Sequence, residues 1–320
     1  MVFFLIVCFL ILLLLGGGYY AYRAAFFSPK KGRDKISAFS SHKYDPYRKE
    51  INRIYCQLSA RVCEDVTIQS FDGLKLHGRY YHVKEGAPLD IGFHGYRSSA
   101  MTDFAGGSEL SFSMGHNLLL VDERAHGKSE GRTIAFGVQE RWDVVSWANY
   151  AVKRFGENTE ILLYGVSMGA ATVLMASELN LPENVKGIIA DCPYSSPKAI
   201  IRKVAKDMHL PDWLAWPFVK VGARVYGGFD IDETDAARAV KRARVPILII
   251  HGESDSFVPC EMSDIVSENP ALVTRCTFPN ADHGFSYLVD TPRYRQIVTE
   301  FVGKALTPKG FPSGEAGKNL

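Results

Sequence analysis

The stretch from Ile161 to Ala176 reads ILLYGVSMGAATVLMA, and it decides the fold. An apolar run, Ile161–Tyr164, leads into the pentapeptide Gly165–Gly169, and a helix-forming run of small residues follows. A strand that turns sharply into a helix at a serine holds the serine Oγ out of the sheet, where a base can reach it. Flanking glycines suit a turn that is too tight for side chains, and the N–H of Met168 is left to face an oxyanion. The pattern predicts Ser167 as a nucleophile.

A second pentapeptide of the same form, Gly127–Gly131, carries Ser129. It follows the apolar run Asn117–Val121 only after a polar stretch, and no helix of small residues comes after it. A motif of this kind is a hypothesis that its structural context must support. The context favours Ser167 over Ser129.

Short apolar runs alternate with helical patterns along most of the chain, which predicts a mostly parallel sheet covered on both faces. A hairpin over Glu64–His82, with its turn at Asp72-Gly73, precedes this region. The predicted strands are Leu89–Phe93, Asn117–Val121, Glu160–Tyr164, Val185–Ala190, Val245–Ile250 and Thr274–Phe278. The predicted helices are Ile51–Cys63, Phe104–Met114, Val138–Phe155, Met168–Leu179 and Thr291–Leu306.

An insertion over about residues 192–242 is longer than one crossover helix needs. It carries a group of large aromatic residues. These are Trp213, Trp216, Phe218 and Tyr226. We expect a small helical cap over the active site, with ordinary surface helices as the open alternative.

Length and charge limit the classes of protein that fit. The chain has 320 residues, a net charge of +2 and 22% charged residues. The basic residues form no cluster of the kind that binds nucleic acid, which argues against that function. The layout of the motifs favours one large α/β domain, which we expect over residues 50–306.

The N-terminus predicts a membrane segment. Val2–Tyr22 contains no charged side chain, and as a helix it rises about 30 Å, the thickness of a bilayer core. A cleaved signal peptide is the alternative, but no basic residue precedes the apolar stretch and no clear cleavage site ends it. We expect an uncleaved single-pass anchor over residues 1–22, a polar linker over 23–49 and a disordered tail over 307–320.

The basic residues after the anchor predict its orientation. They are Arg23, Lys30, Lys31, Arg33 and Lys35. An excess of positive charge on one side of a span favours the cytoplasmic side for that end. We therefore expect the catalytic domain on the cytoplasmic face, with the extracellular face as the alternative.

A serine nucleophile requires a base, and the base requires a group that orients it. His283 lies in a loop after the last predicted strand, at the carboxyl edge of the sheet where Ser167 must also lie. Asp255 follows the strand before it and is the expected acid, with Glu253 and Asp191 in reserve. The second oxyanion N–H, beside that of Met168, is expected from Tyr96 in the loop after Leu89–Phe93. His94 is expected to support that loop.

Five ordered motifs resemble the α/β-hydrolase superfamily. The spacing is most similar to its serine-aminopeptidase-like and lysophospholipase-like branch, which includes membrane-anchored bacterial members. The resemblance covers about residues 65–306 and implies that the stretch 122–131, with Ser129, is structural. The motifs are His94-Gly95, Asp122–Gly131, Gly165–Gly169, His251–Asp255 and Asp282–Gly284.

The resemblance implies a catalytic triad of Ser167, Asp255 and His283, with oxyanion amides from Tyr96 and Met168. It implies no metal and no organic cofactor. The expected activity is hydrolysis of a carboxylic ester, with a small-molecule or lipid-like acyl substrate.

Two alternatives to this activity stay open. One is a serine peptidase that holds a terminal amine with Glu233, Asp235 or Asp230. The other is a catalytically silent binding protein at the membrane. The natural substrate and the oligomeric state do not follow from the sequence.

Overall fold

Eight strands form a single sheet in the computed structural model, which describes residues 1–29, 42–265 and 269–307. The strands are β1 Glu64–Gln69, β2 Lys75–Tyr81, β3 Leu89–Phe93, β4 Asn117–Val121, β5 Ile161–Val166, β6 Val185–Asp191, β7 Ile247–Gly252 and β8 Val273–Phe278. Their order is β1-β2-β4-β3-β5-β6-β7-β8. Only β2 runs antiparallel to its neighbours, so the predicted mostly parallel sheet is confirmed.

Helices cover both faces of the sheet, because alternate residues of each buried strand point to opposite faces. On one face, Leu163 packs with the helices Glu140–Phe155 and Met168–Ala176. On the other, Leu162 and Tyr164 pack with the helices Arg48–Ala60, Ala105–Ser113 and Thr291–Leu306. The helices are α1 Val2–Ala21, α2 Arg48–Ala60, α3 Ala100–Asp103, α4 Ala105–Ser113, α5 Glu140–Phe155, α6 Met168–Ala176, α7 Pro197–Asp207, α8 Asp212–Val221, α9 Ala236–Val240, α10 Ser286–Val289 and α11 Thr291–Leu306.

The N-terminal helix continues from α1 through a wider helical turn, Tyr22–Phe26. Within the described residues, Val2–Phe26 is the one helix long and apolar enough to cross a membrane, a property that signal sequences share. Its mean hydropathy is 2.7 over the most apolar window.

The first residues of the predicted 23–49 linker pack on the α/β domain. Phe26 is fully buried and contacts the rings of Phe136 and Phe229 edge-on. Phe27 forms a β-bridge with Thr133. Residues 30–41 of that linker, with Lys30, Lys31, Arg33 and Lys35, lie outside the described residues, as do residues 308–320 of the predicted tail.

The insertion between β6 and β7 holds α7, α8, a helical turn at Gly222–Gly227 and α9. Its helix α8 packs on the end of α1, where glycines permit a very close approach. A Cβ added at Gly17 would lie 2.4 Å from the Phe218 ring, and one at Gly18 would lie 2.4 Å from Val221. The insertion therefore joins the α/β domain to the N-terminal helix.

Candidate active site

Ser167 lies at the junction between β5 and α6 with φ 55° and ψ −112°. A non-glycine residue in this region stores roughly 1–3 kcal/mol of strain, which the surrounding structure must hold. The Ser167 N–H donates to the Asp191 carbonyl at 2.8 Å, and the Ser167 carbonyl accepts from Ala171 at 3.0 Å. These bonds fix the turn and leave the side chain at the carboxyl edge of the sheet.

The two glycines of this pentapeptide are required by close packing rather than by unusual dihedral angles. A Cβ at Gly165 would lie 2.3 Å from the Gly169 carbonyl oxygen. A Cβ at Gly169 would lie 1.9 Å from the carbonyl oxygen of Phe93 in β3. No side chain fits at either position while the backbone stays in place.

The structure brings Ser167, His283 and Asp255 into one hydrogen-bonded chain. The Ser167 Oγ lies 2.9 Å from His283 Nε2, and His283 Nδ1 lies 2.7 Å from Asp255 Oδ2. His283 precedes α10 on the loop after β8, and Asp255 lies on the loop after β7. The carboxyl ends of parallel strands meet at one edge of the sheet, which is why these distant residues converge.

Asp255 is held as a carboxylate. Its Oδ1 accepts the backbone N–H groups of Phe257 at 2.9 Å and Val258 at 2.8 Å. Burial acts to raise the pKa of Asp255, but hydrogen bonds from His251 and His283 outweigh it and hold the pKa well below its usual range. The imidazole of His283 therefore faces a fixed negative charge.

The two reserve acids do not bond to His283. Glu253 is exposed, and its Oε1 accepts the hydroxyl of Thr277 at 2.6 Å. Asp191 accepts the hydroxyl of Tyr294 at 2.9 Å, and its Oδ1 is buried without a hydrogen-bond partner. Burial raises the pKa of Asp191 to about 6, although the bond from Tyr294 acts in the opposite direction.

Two histidines hold the loop after β3, which carries Gly95 and Tyr96. His94 Nε2 accepts the backbone N–H of Glu123 at 3.1 Å, so its Nδ1 carries the proton and donates to the Gly95 carbonyl at 2.9 Å. His126 Nε2 accepts the N–H of Arg97 at 3.0 Å in the same way. His94 thus supports the loop, as the sequence predicts.

The loop lies directly against the serine. A Cβ at Gly95 would lie 3.3 Å from the Ser167 Cβ, and the Gly95 N–H donates to Asp103 at 2.7 Å. Tyr96 is the next residue along this loop, and Met168 follows Ser167 at the first position of α6.

The same loop is tied to the segment that follows α1. The Tyr96 hydroxyl donates to the carbonyl of Ala25 at 2.7 Å. Arg97 Nη2 donates to the carbonyls of Ala24 at 2.8 Å and Phe27 at 3.0 Å. Nothing in the sequence signals this contact, because some 70 residues separate the two segments.

A cavity of about 310 Å³ opens beside Ser167 and His283. Its walls include Ile51 and Ile54 of α2, and Phe104, Gly106 and Gly107 of the α3–α4 region, together with Asp103, Asp191, Tyr287, Leu288 and Tyr294. The contribution of α2 is not evident from the sequence, since this helix precedes the whole sheet.

No residue of the insertion 192–242 lines this cavity, so the predicted cap does not form its wall. The insertion reaches the rim through Lys203. The Lys203 Nζ donates to the Ser256 carbonyl at 2.8 Å and lies over the ring of Phe257, which does line the cavity. The physical reason is that α8 packs instead on the end of α1.

Ser129 has a different environment. It is fully buried, its Oγ donates to the Asp122 carbonyl at 2.5 Å, and the same Oγ accepts the N–H of His77 at 2.8 Å. Both bonds join the turn after β4 to the neighbouring strands. This serine is a structural connector.

Within the described ranges, one group of side chains places three potential metal-ligating atoms within 4.8 Å of one another: Cys192, Asp255 and His283. Asp255 and His283 already bond to each other. Burial raises the pKa of the Cys192 thiol well above its usual range, so the thiol stays neutral and is a poor metal ligand.

The fold and this arrangement define the class of the molecule: an α/β-hydrolase fold with serine, histidine and aspartate at the carboxyl edge of its sheet. A family model described as the alpha/beta hydrolase fold matches residues 93–215. The chain is 26% identical over 195 residues to the uncharacterized protein YqkD of Bacillus subtilis, a match that covers 60% of this chain and 64% of that protein.

Solved structures share the fold. The Pyrococcus furiosus esterase Pf2001 matches with a TM-score of 0.63 and 24% identity, over 78% of this chain and 93% of the esterase. Est1E from Butyrivibrio proteoclasticus, solved with ferulic acid bound, matches with a TM-score of 0.59 and 23% identity, over 75% and 98%. The family match and these structures show the α/β-hydrolase fold.

Proposed function

We propose that this protein hydrolyses a carboxylic ester through an acyl-enzyme, with Ser167 as nucleophile, His283 as general base and Asp255 as the orienting acid. The observation that carries the proposal is the bonded chain from Ser167 Oγ through His283 to Asp255, with distances of 2.9 and 2.7 Å, beside an open cavity. These separations lie within the range required of a nucleophile and its base.

The charge on Asp255 determines the direction of proton transfer. An ionised Asp255 can only accept a hydrogen bond, so the imidazole proton lies on His283 Nδ1 and the Nε2 lone pair faces the Ser167 hydroxyl. Ser167 Oγ attacks the acyl carbon as its proton passes to Nε2, and that proton then goes to the leaving alcohol. Water attacks the acyl-enzyme by the reverse sequence and frees the carboxylic acid and Ser167.

The developing oxyanion is proposed to accept hydrogen bonds from the backbone N–H groups of Tyr96 and Met168. Removal of one such donor costs roughly 2.7–4 kcal/mol of transition-state stabilisation in enzymes of this type. The two histidine-held turns described above make the loop of Tyr96 rigid, which suits this role.

The cavity favours a small acyl or aryl group as the substrate. Its volume lies at the lower end of the usual range for ligand sites, about 300–1,000 Å³. Ile51, Ile54 and Leu288 supply apolar walls, and Asp103 and Tyr287 supply polar ones. A single acyl chain of a lipid-like substrate also fits this description.

The acidic residues considered for a peptidase have other partners. Glu233 pairs with Arg141 at 2.7 Å, Asp230 pairs with Arg224, and Asp235 caps α9 through the N–H of Arg238. None of the three lines the cavity. We therefore favour ester hydrolysis over aminopeptidase activity. The hydrogen-bonded set of Ser167, His283 and Asp255 argues against a catalytically silent binding protein.

The test is a substrate panel offered to the full chain in detergent: nitrophenyl esters of increasing acyl length beside aminoacyl nitroanilides. We expect ester turnover that Ser167→Ala and His283→Ala abolish while the circular dichroism and unfolding midpoint stay unchanged. Faster cleavage of the anilides would move the assignment to a peptidase. A folded protein without turnover of either class would favour the binding protein.

We also propose that the N-terminal helix is a retained anchor and that the catalytic domain lies on the cytoplasmic face. The packing of Gly17 and Gly18 on α8 supports retention, because cleavage after α1 would remove this contact and expose the facing side of α8. Protease treatment of intact cells should leave the domain whole. Digestion of the domain from outside would reverse the orientation.

A further inference from the structure

The apolar surface of α1 does not end where the catalytic domain begins. All the large apolar side chains between Val2 and Leu14 are exposed. The described residues after α1 carry ten exposed large apolar side chains, and five of these ten fall within residues 208–225. These five are Met208, Leu210, Trp213, Leu214 and Val225. The other five come from five separate segments of the chain, and of these Phe71 and Trp142 contact each other.

The contacts between α8 and α1 show how the apolar surface of residues 208–225 is oriented relative to α1. Phe218 meets Gly17, and Val221 meets Gly18, so the contacts advance along both helices in the same direction. Trp213 lies five residues before Phe218, about 7.5 Å along the helix. The N-terminal half of α8 therefore extends toward the apolar part of α1, where a bilayer would begin.

The end of α1 and the turn after α8 form an aromatic junction. The Tyr226 hydroxyl donates to the carbonyl of Leu15 at 3.1 Å, and the Tyr226 ring contacts Tyr19 edge-on at 5.3 Å between centroids. Tyrosine and tryptophan are enriched at membrane–water interfaces because their rings are apolar and their polar atoms reach water or headgroups.

Pro217 supports an interfacial depth for α8 rather than full insertion. It lies inside the helix and has no N–H, so the carbonyl of Trp213 lacks its helical partner. An unsatisfied carbonyl costs several kcal/mol in hydrocarbon but is readily satisfied by water or headgroups.

We propose that residues 208–225, with Trp213 and Leu214 foremost, form a lipid-binding surface in the headgroup region of the bilayer that α1 spans. It would hold the catalytic domain against the membrane at two places, α1 and α8, instead of leaving it on a free tether. The proposal rests on the retained anchor proposed above and does not depend on ester hydrolysis.

The test uses the full chain reconstituted in vesicles of phosphatidylcholine and phosphatidylglycerol whose acyl chains carry bromine near the headgroup. Bromine quenches tryptophan fluorescence at contact. The chain has four tryptophans, and Trp213 is 78% exposed. We expect Trp213→Phe to reduce the bromine-dependent quenching at least about twofold. Trp142→Phe is the matched control, because Trp142 is 38% exposed on a separate helix, and it should keep the wild-type quenching.

Flotation of the vesicles tests the anchor, and quenching tests the surface. Quenching of the floated protein that Trp213→Phe leaves unchanged, or no quenching at all, would overturn the proposal. Protein that stays out of the vesicle fraction would overturn both the anchor and the surface. A cross-linked dimer that shields Trp213 from bromine and from aqueous acrylamide would assign the surface to a second copy of the chain instead.

Discussion

Gly165–Gly169 and Gly127–Gly131 share one five-residue pattern, and the structure gives their serines different partners. Ser167 stands on a strained turn directly after β5, with its Oγ toward His283. Ser129 lies several residues after β4, and its Oγ bonds to the backbone of Asp122 and His77. The same residues therefore yield a candidate nucleophile at one site and a structural connector at the other.

A buried carboxyl group lies beside each serine, Asp122 near Ser129 and Asp191 near Ser167. The two carboxyl groups differ in their hydrogen bonds and in the direction of their pKa shifts. Asp122 accepts bonds from His77 at 2.9 Å and from the N–H of Lys128 at 3.0 Å. Burial acts to raise its pKa, but these bonds lower it overall. Asp191 keeps one oxygen without a partner, and its pKa is raised. The Asp122 carboxylate is thus satisfied, whereas that of Asp191 is not. The contrast is specific to these two groups, because both oxygens of Glu123, next to Asp122, are also buried without a hydrogen-bond partner.

The largest difference in activity between the Ser167 site and the Ser129 turn should follow removal of the negative charge at Asp255 or at Asp122. Asp255→Asn removes the charge that orients His283, and we expect kcat per folded molecule to fall roughly 1,000- to 10,000-fold. Because the pKa of Asp255 is lowered in the fold, this variant should also be less stable at neutral pH. Asp122→Asn, the matched control, should lower stability and leave kcat per folded molecule within about twofold. Steady-state ester kinetics with denaturant titration decide this. Equal losses of kcat in both variants would contradict the distinction.

Glycine substitutions should separate the turns by packing. Gly169→Ala places a Cβ on the Phe93 carbonyl, so the backbone must move, and we expect a loss of about 3 kcal/mol or more in the free energy of unfolding. Gly131→Ala meets its nearest atoms at 3.3 Å but has φ +93°, so a loss of about 1–2 kcal/mol is expected from strain alone. Urea titration of both variants measures the difference, and the reverse order would contradict it.

The contributions of Asp191 and Asp122 to the free energy of unfolding should depend on pH with opposite signs. An unfolded aspartate ionises near 3.8, whereas Asp191 ionises at about 6 in the fold. Between these values the folded state holds a proton that the unfolded state lacks, so stability falls as pH rises from about 4 to 6. Asp191→Asn should remove this decline and be more stable at pH 7 by on the order of 2 kcal/mol.

Asp122→Asn provides the opposite case. Its lowered pKa means that stability is present above about pH 4 and is lost as pH falls, so the variant should be less stable at neutral pH. Unfolding titrations of wild type and both variants from neutral pH to well below pH 4 give the differences. A parallel shift of both variants would contradict this account.

A smaller effect should follow loss of the bond between the serine loop and the N-terminal segment. Tyr96→Phe removes the donor to Ala25 and keeps the ring and the backbone N–H, and we expect kcat to fall about tenfold with little change in KM. Tyr194→Phe loses a similar bond, to the Phe136 carbonyl at 3.0 Å, and should keep kcat. A proportional fall in affinity for a boronic acid inhibitor would identify oxyanion positioning, whereas unchanged inhibitor affinity would contradict it.

Much of the fold follows from sequence, because buried parallel strands are continuous apolar runs. The predicted strand Leu89–Phe93 and helix Thr291–Leu306 agree residue for residue, and most other boundaries shift by one to three residues. The predicted helix Phe104–Met114 is confirmed as α4, Ala105–Ser113. A short helix that was not predicted, α3, precedes it and is capped by Ser99.

The spatial contacts across the chain could not be predicted. The order of the motifs and their positions after strands predicted that Ser167, Asp255 and His283 lie together, because the carboxyl ends of parallel strands meet at one edge of the sheet. The cavity wall from Ile51 and Ile54, and the packing of α8 on Gly17 and Gly18, join segments far apart in sequence. The sequence predicts a cap from the aromatic residues of the insertion, yet two of them, Phe218 and Tyr226, contact α1, and Trp213 is exposed. Composition alone does not distinguish an insertion that covers the active site from one that packs on α1.

The central claim is that Ser167, and not Ser129, is the activated nucleophile. The most direct measurement is labelling of the full chain by a fluorophosphonate, for wild type, Ser167→Ala and Ser129→Ala. The full chain is needed because Phe26 and the carbonyls that hold Tyr96 and Arg97 precede residue 29. The account predicts labelling of wild type and of folded Ser129→Ala, and none of Ser167→Ala. Labelling that survives in Ser167→Ala and disappears in Ser129→Ala would contradict it.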